Sequence, residues 1–423
     1  MPLQPSRFVL TVLPRAVLVV VAIVAILPAL ASLTGNDEVA STLGGDFASF
    51  YAAGEIVLDG RIDELYDPVV QQEYQATHHD DSDEFLYFAY PPFTAVAYSL
   101  LAWMPYGVAL AAHALLSLGC VVLSMWLILP KIDAALSRTS HAVLGAALAL
   151  AVLPLTVAVL GGQNTAFTLL LFSLVWYLTW SDRSALAGVA AGLMLFKPQF
   201  GLLMIVFLIV ALKVRSAIAA VGVGAALYVA TALAVGWSWP SLWVDQVQSF
   251  AELNAEVNGH LLVNISGWIT NLAGDGTSVL LVTGAMWIAA AVASGWCAYR
   301  FSIEWVTIGV LVGGVLLLSP SSLFYDAGVA VVAFGVWAVS RSMSWSVIAA
   351  AVVATWTAPF ASGLGWNPLF VVIAWLFVLQ VYVLTRASSG SDAAESVSQG
   401  AGTLAAPDGQ QQRRHTGRAI RSS

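Results

Sequence analysis

The chain has 423 residues, 59% hydrophobic and only 9% charged, where a water-soluble domain carries roughly 25% charged residues, and its mean hydropathy is +0.84. That composition excludes an ordinary soluble fold and makes lipid the main solvent. The net charge of −8 argues against nucleic acid as a partner, because thirteen of the 24 acidic residues crowd between Asp37 and Glu84, where Arg61 is the only base.

A crossing helix needs about 20 apolar residues, and Lys and Arg favour the cytoplasmic side. Arg7 and Arg15 flank an apolar run without a convincing cleavage site, which reads as an uncleaved first span over 16–33 running outward. Residues 34–90 are polar and acidic and form a first outer loop. Residues 93–103 are apolar but bounded by Pro91-Pro92 and Pro105, so they are expected to be a re-entrant or interfacial helix. Further spans follow at 106–129, 141–160 and 165–180, then a short pair at 185–196 and 199–212 hinged at Lys197-Pro198, then 216–236. A second outer loop covers about 237–277. Spans at 278–298, 303–318, 324–340, 345–361 and 367–385 complete an all-α polytopic bundle of about 12 transmembrane helices with outer juxtamembrane helices. This scheme puts Lys131, Arg138, Arg183, Lys213, Arg215, Arg300, Arg341 and Arg386 on one side, with both termini cytoplasmic. Residues 1–386 are expected to be the membrane domain. Residues 387–423, rich in Ser, Gly, Gln and Ala and ending in a basic patch, are expected to be a disordered cytoplasmic tail. Cys120 and Cys297 sit in apolar runs without spacing partners and read as small buried hydrophobes.

Ionisable residues at membrane depth are costly and therefore candidates for function. Asp46 follows Gly44-Gly45 at a helix start, where a carboxylate either caps the helix or works chemically. Phe47, Phe50, Tyr51 and Gly54 form an i, i+3, i+4, i+7 stripe that suits a helix lying on the membrane. Tyr90-Pro91-Pro92-Phe93 closes the same loop with aromatics suited to an interfacial belt or to stacking on sugar rings. Gln163 and Asn164, beside Gly161-Gly162, offer amides for hydroxyl groups. Lys197, with Gln199, breaks the charge bias of the spans and suits an anion such as a lipid-linked phosphate. In the second loop His260 is a candidate acid, base or donor near neutral pH. Tyr325-Asp326 opens a helix and supplies a second carboxylate, which either caps that helix or, near Asp46, positions an acceptor or modulates the pKa of its partner. The run His78-His79-Asp80-Asp81-Ser82-Asp83-Glu84 does not fit a calcium loop and reads as solvated. No cofactor is expected; a divalent cation near Asp46 stays open.

Taken together, Gly45-Asp46-Phe47, Phe50-Tyr51-Ala52-Ala53-Gly54, Leu65-Tyr66-Asp67, Tyr90-Pro91-Pro92-Phe93, Gly162-Gln163-Asn164 and Phe196-Lys197-Pro198-Gln199 resemble bacterial glycosyltransferase family 87 over about residues 40 to 340. The resemblance implies a GT-C architecture, an active site facing outward from a bacterial cell membrane and a polyprenyl-phosphate sugar donor, with mannose favoured. It implies that Asp46 matches the catalytic aspartate of the first outer loop. The turn before Tyr325-Asp326 departs from the family pattern, because Ser321-Ser322-Leu323-Phe324 offers no histidine. The expected partners are the lipid-linked donor, a lipid or glycan acceptor and membrane lipid. The rival readings are a lipid-linked sugar flippase or transporter, and a structural subunit of an envelope-building complex.

Overall fold

The computed structural model describes residues 7–34, 45–78, 86–132, 138–274, 276–301, 305–331, 352–356 and 361–404. Regular structure among them is helical, and the one extended contact is an isolated antiparallel bridge between Leu262 and Leu323. The elements are α1 (Arg7–Leu33), α2 (Phe47–Leu58), α3 (Pro68–Gln75), α4 (Pro92–Ala102), α5 (Tyr106–Ile132), α6 (Arg138–Leu150), α7 (Leu153–Leu160), α8 (Thr165–Trp180), α9 (Ser184–Leu193), α10 (Pro198–Val210), α11 (Val214–Val235), α12 (Trp239–Asn258), α13 (Ile265–Ala273), α14 (Thr277–Phe301), α15 (Trp305–Leu318), α16 (Ala361–Leu364) and α17 (Leu369–Leu404). Met1–Val381 forms one compact unit and Tyr382–Ser423 a second, which holds the distal part of α17. α17 runs on through Leu404, past the expected domain boundary at residue 386.

Five helices are long and apolar enough to cross a membrane: Pro14–Leu33, Tyr106–Leu129, Val214–Val235, Thr277–Phe301 and Leu369–Arg386. The expected count of about 12 spans is not reached among the described residues. The physical reason is length: α8, α10 and α15 have 16, 13 and 14 residues, which at about 1.5 Å per residue fall short of a hydrocarbon core of about 30 Å. The spans expected at 324–340 and 345–361 lie mostly outside the described residues, and the first begins as a 3-10 segment at Phe324–Val329. The expected single span at 141–160 is two helices bent by 91° between Leu150 and Leu153. Pro154 causes the break, since it has no N–H for the Leu150 carbonyl and its ring would clash there. The Thr156 hydroxyl donates to that carbonyl instead.

The spans differ in what they face. Half of the α5 span is buried, against 17% in α1 and α11 and 11% in α14. Of the five long helices α5 is the most buried, the span within α17 is intermediate at 39%, and α1, α11 and α14 leave most of their apolar side chains uncovered by protein, as a lipid-facing helix does. Five long apolar helices with this distribution make the chain a multi-pass membrane protein.

Between α1 and α5 the chain builds a compact layer. The stripe expected to lie on the membrane faces inward instead: Phe47, Phe50 and Tyr51 are buried. Phe50 stacks on Tyr98 at 4.7 Å, and Phe47 meets Tyr106 at 5.6 Å. Gly54 lets α2 reach α4, because a Cβ there would sit 2.9 Å from the Tyr98 carbonyl. α4 itself has eleven residues and is too short to cross as a straight span. Two amides fix the strand-like approach to α4. Gln71 accepts from the Phe88 N–H and donates to the Leu65 carbonyl, and Gln75 donates to the Leu86 carbonyl and accepts from its N–H.

Candidate active site

Three turns meet at one end of this bundle. The first is Gly45-Asp46 at the start of α2. Gly45 has φ +43°, a left-handed conformation, and its Cα faces the Gly161 carbonyl so closely that a Cβ would lie 3.1 Å from that oxygen. This contact seats Asp46 against the turn between α7 and α8. Asp46 precedes α2 in the capping position, yet its side chain makes no capping hydrogen bond. Asp46 is half-buried and forms no ion pair among the described residues. Burial by the surrounding protein pushes its pKa up to about 6; Lys197 opposes that rise, and Asp326 adds to it.

The second turn joins α9 to α10. A 3-10 segment at Met194–Phe196 runs into Lys197, whose φ −112° and ψ 85° suit the residue before a proline, and Pro198 opens α10. The hinge read from Lys197-Pro198 is present. The Lys197 ammonium, however, is buried and lies 2.5 Å from Asp326 Oδ1. It also lies over the Phe200 and Tyr325 rings, at 5.6 and 5.9 Å. Lys197 therefore sits in the interior as one half of an ion pair, not as a free cation at the rim.

The third turn follows α15. Asp326 uses both carboxylate oxygens: Oδ1 takes Lys197 and, at 3.5 Å, the Thr165 hydroxyl, while Oδ2 accepts from the Leu323 N–H at 3.2 Å. The turn is held from outside by the end of the second loop segment. Val263 N–H donates to the Ser322 carbonyl, and Asn264 Nδ2 donates to the Pro320 carbonyl. Gln199 Nε2 reaches the Ser321 hydroxyl at 3.3 Å.

Of the side chains that the sequence singled out, Asp46, Tyr90, Asn164, Lys197, Tyr325 and Asp326 come together. Tyr90 and Tyr325 both feel the charges of Asp46 and Asp326, and burial raises both phenols well above the usual range. The Tyr90 phenol approaches the Asn164 amide. That amide nonetheless makes no hydrogen bond of good geometry: both of its polar atoms, and Gln163 Oε1, are buried without a partner among the described residues. Gln199 joins the cluster through Ser321. Tyr51 does not join it, because its hydroxyl donates to the Met104 carbonyl at 2.7 Å within the α2–α4 layer. His260 is half-buried on the 3-10 turn Gly259–Leu261, and no hydrogen bond or ion pair ties it to the cluster among the described residues.

Two positions escaped the sequence reading. Thr165 supports Asp326 and looks like any helix-start threonine. His113 lies on α5, fully buried, with Nε2 3.1 Å from the Tyr98 hydroxyl and its ring between Phe47 and Phe167. It thereby packs against the residue that follows Asp46 and against the first turn of the helix that follows Asn164. Its one signal was an ionisable residue inside an apolar run. Among the described residues no group of three or more His, Cys, Asp or Glu side chains is placed to hold a metal ion.

The arrangement is a half-buried carboxylate of raised basicity beside a buried cation, with unfilled amide groups alongside. No curated protein and no solved structure matches the chain. The family description "Glycosyltransferase family 87" matches residues 88–320, a stretch that includes Tyr90, Gln163, Asn164, Lys197, Gln199 and His260 and leaves Asp46, Tyr51, Tyr325 and Asp326 outside. That stretch is more than half of the sequence, and the chain belongs to glycosyltransferase family 87.

Proposed function

We propose that the protein transfers a sugar, mannose favoured, from a polyprenyl-phosphate donor to a hydroxyl of a cell-envelope glycolipid or glycan, at the outer face of a bacterial membrane and within a GT-C-like domain of residues 1–386. Asp46 accepts the proton of the acceptor hydroxyl. The freed oxygen bonds to the anomeric carbon as the bond from that carbon to the phosphate oxygen breaks. Polyprenyl phosphate leaves as a dianion and needs no proton, because a phosphate monoester with a second pKa of about 6 is a far weaker base than an alkoxide. One displacement inverts the anomeric centre. An ammonium has three donors, and only one of those on Lys197 is used by Asp326, so Lys197 retains donors for a phosphate oxygen, with Gln199 beside it. The empty amide groups of Gln163 and Asn164 suit ring hydroxyls, since a buried amide without a partner is costly until a ligand supplies one. His260 contributes only if the second loop segment moves toward the cluster on binding.

The observation that carries this reading is the Asp46 carboxylate: at a helix start, uncapped, unpaired, half-buried and of raised basicity. Family membership favours transfer over a flippase or transporter. The test is incubation of purified protein with a panel of radiolabelled polyprenyl-phosphate sugars and envelope lipids. Asp46→Asn should lower the transfer rate by about 10²–10⁴-fold, the range for loss of a general base. Equal transfer by both proteins would remove Asp46 from that role. Movement of intact donor across vesicles without product would support the flippase.

A further inference from the structure

The acidic partner of Lys197 is the less expected part of this site. Two carboxylates lie within electrostatic reach of one ammonium, and the ammonium is bound by only one of them. Lys197 Nζ is 2.5 Å from Asp326 Oδ1, both side chains are almost fully buried, and the two residues come from turns 129 positions apart in the chain. Asp46 lies in the same field and makes neither a capping hydrogen bond nor an ion pair among the described residues. Asp326 cannot swing away from Lys197, because its second oxygen is fixed by the Leu323 N–H and its first also receives the Thr165 hydroxyl. The segment carrying Asp326 is seated in turn: Gly328 packs against the Leu155 backbone of α7, and the Leu262–Leu323 bridge closes its start. The preference of Lys197 is thus built into the fold on both sides of the pair.

We infer that Asp326 is a positioning residue for the transfer proposed above: it anchors the Lys197 ammonium beside Asp46 without letting the two pair, which leaves Asp46 free to take a proton. A lysine paired directly with Asp46 would occupy the carboxylate oxygens that the acceptor hydroxyl must reach. A lysine removed altogether would leave two carboxylates competing for protons in a dry site. The charged or titratable groups that face Asp46 are Lys197 from the turn before α10, Asp326 and Tyr325 from the segment after α15, and Tyr90 from the turn before α4. The tyrosines stay neutral across the working range, so the pair alone sets the charge seen by Asp46.

The experiment reads the protonation of Asp46 without requiring turnover. Dicyclohexylcarbodiimide modifies protonated carboxyl groups, and the extent of Asp46 modification in the full-length protein is followed by peptide mass spectrometry across pH 4–9. Asp326→Asn frees Lys197 to bind Asp46, and the midpoint should fall by about one pH unit or more. Lys197→Met removes the cation, and the midpoint should rise by about the same amount. The double variant Lys197→Met/Asp326→Asn should fall between wild type and Lys197→Met, because the cation acts on Asp46 more strongly than Asp326 does. Folding of each variant is checked by its elution profile in detergent. Should a single variant not fold, the double variant decides: a midpoint above wild type supports the inference, and one at or below it overturns it. Midpoints that coincide, or that move the same way in both single variants, also overturn it. Because labelling is independent of turnover, a failure of the base assignment appears separately, as unimpaired transfer by Asp46→Asn.

Discussion

Asp46 and Asp326 occupy matching places: each opens a helical segment, each stands beside aromatic residues, and each lies in the electrostatic field of Lys197. Their environments are opposite. Asp326 is closed on all sides, with a lysine, a hydroxyl and a backbone N–H on its two oxygens. Asp46 caps nothing and pairs with nothing among the described residues, although it is half-buried and desolvated by its surroundings. The same local signal, an acid at a helix start, thus yields a paired, buried anchor in one turn and an unpaired carboxylate in the other, which is the basis for proposing it as the base. What separates them is how many donors the surrounding fold brings to each. A carboxylate whose acceptor sites are filled stabilises the fold, and one left unfilled in a desolvated place is held as a base at some cost in stability.

This contrast can be broken experimentally, beginning with the largest effect on stability. Lys197→Met strands a buried Asp326 and should destabilise the protein by about 3–5 kcal/mol, whereas the double replacement Lys197→Met/Asp326→Leu should recover most of that loss. Thermal unfolding in detergent reads both, and equal loss in single and double variants would count against a tight interior pair. Next, Gly54→Ala forces a Cβ onto the Tyr98 backbone and should cost about 1–3 kcal/mol by separating α2 from α4, with transfer falling because Asp46 is carried by α2.

Asp46→Asn should act in the reverse direction on stability. Its carboxyl has a folded-state pKa raised from 3.8 to about 6, so ionisation is disfavoured in the native state and stability is lost as pH rises from about 4 through 6. The asparagine variant should therefore be more stable than wild type by up to about 3 kcal/mol at pH 7.5 and show little gain at pH 4. A stabilisation that is the same at both pH values would mean that charge is not its cause. The accompanying pH profile of transfer should rise through about pH 6 as Asp46 loses its proton and flatten above it. The smallest effect is expected at Tyr51, where Phe removes one hydrogen bond to Met104 at a cost of about 1 kcal/mol. Donor KM should be unchanged, and a large rise in KM would return Tyr51 to the substrate site.

Several features were legible in the residues themselves. The hinge at Lys197-Pro198 follows from a ring that fixes φ, and Asp46 was marked by its glycines and by its place after a long apolar run. Pro154 carried the bend between α6 and α7 just as openly, but an unbroken apolar stretch from 141 to 160 obscured it, since hydropathy does not register a missing N–H. The inward turn of the Phe47, Phe50 and Tyr51 stripe was not legible, because an apolar face looks the same whether it meets lipid or protein. Nor was it legible that α4 packs on α2, since the close approach at Gly54 is visible only in the fold.

By itself the sequence determined that the chain is helical and lives in lipid, since apolar content and proline placement act locally and need no partners. It also marked, residue by residue, most of the groups that gather at the site. Only the tertiary structure decided what those groups do to each other. Charges act through distance and desolvation, and both are properties of the folded arrangement: residues 197 and 326 became an ion pair, and residue 46 was left unpaired, only when three remote turns were brought to the same end of the bundle.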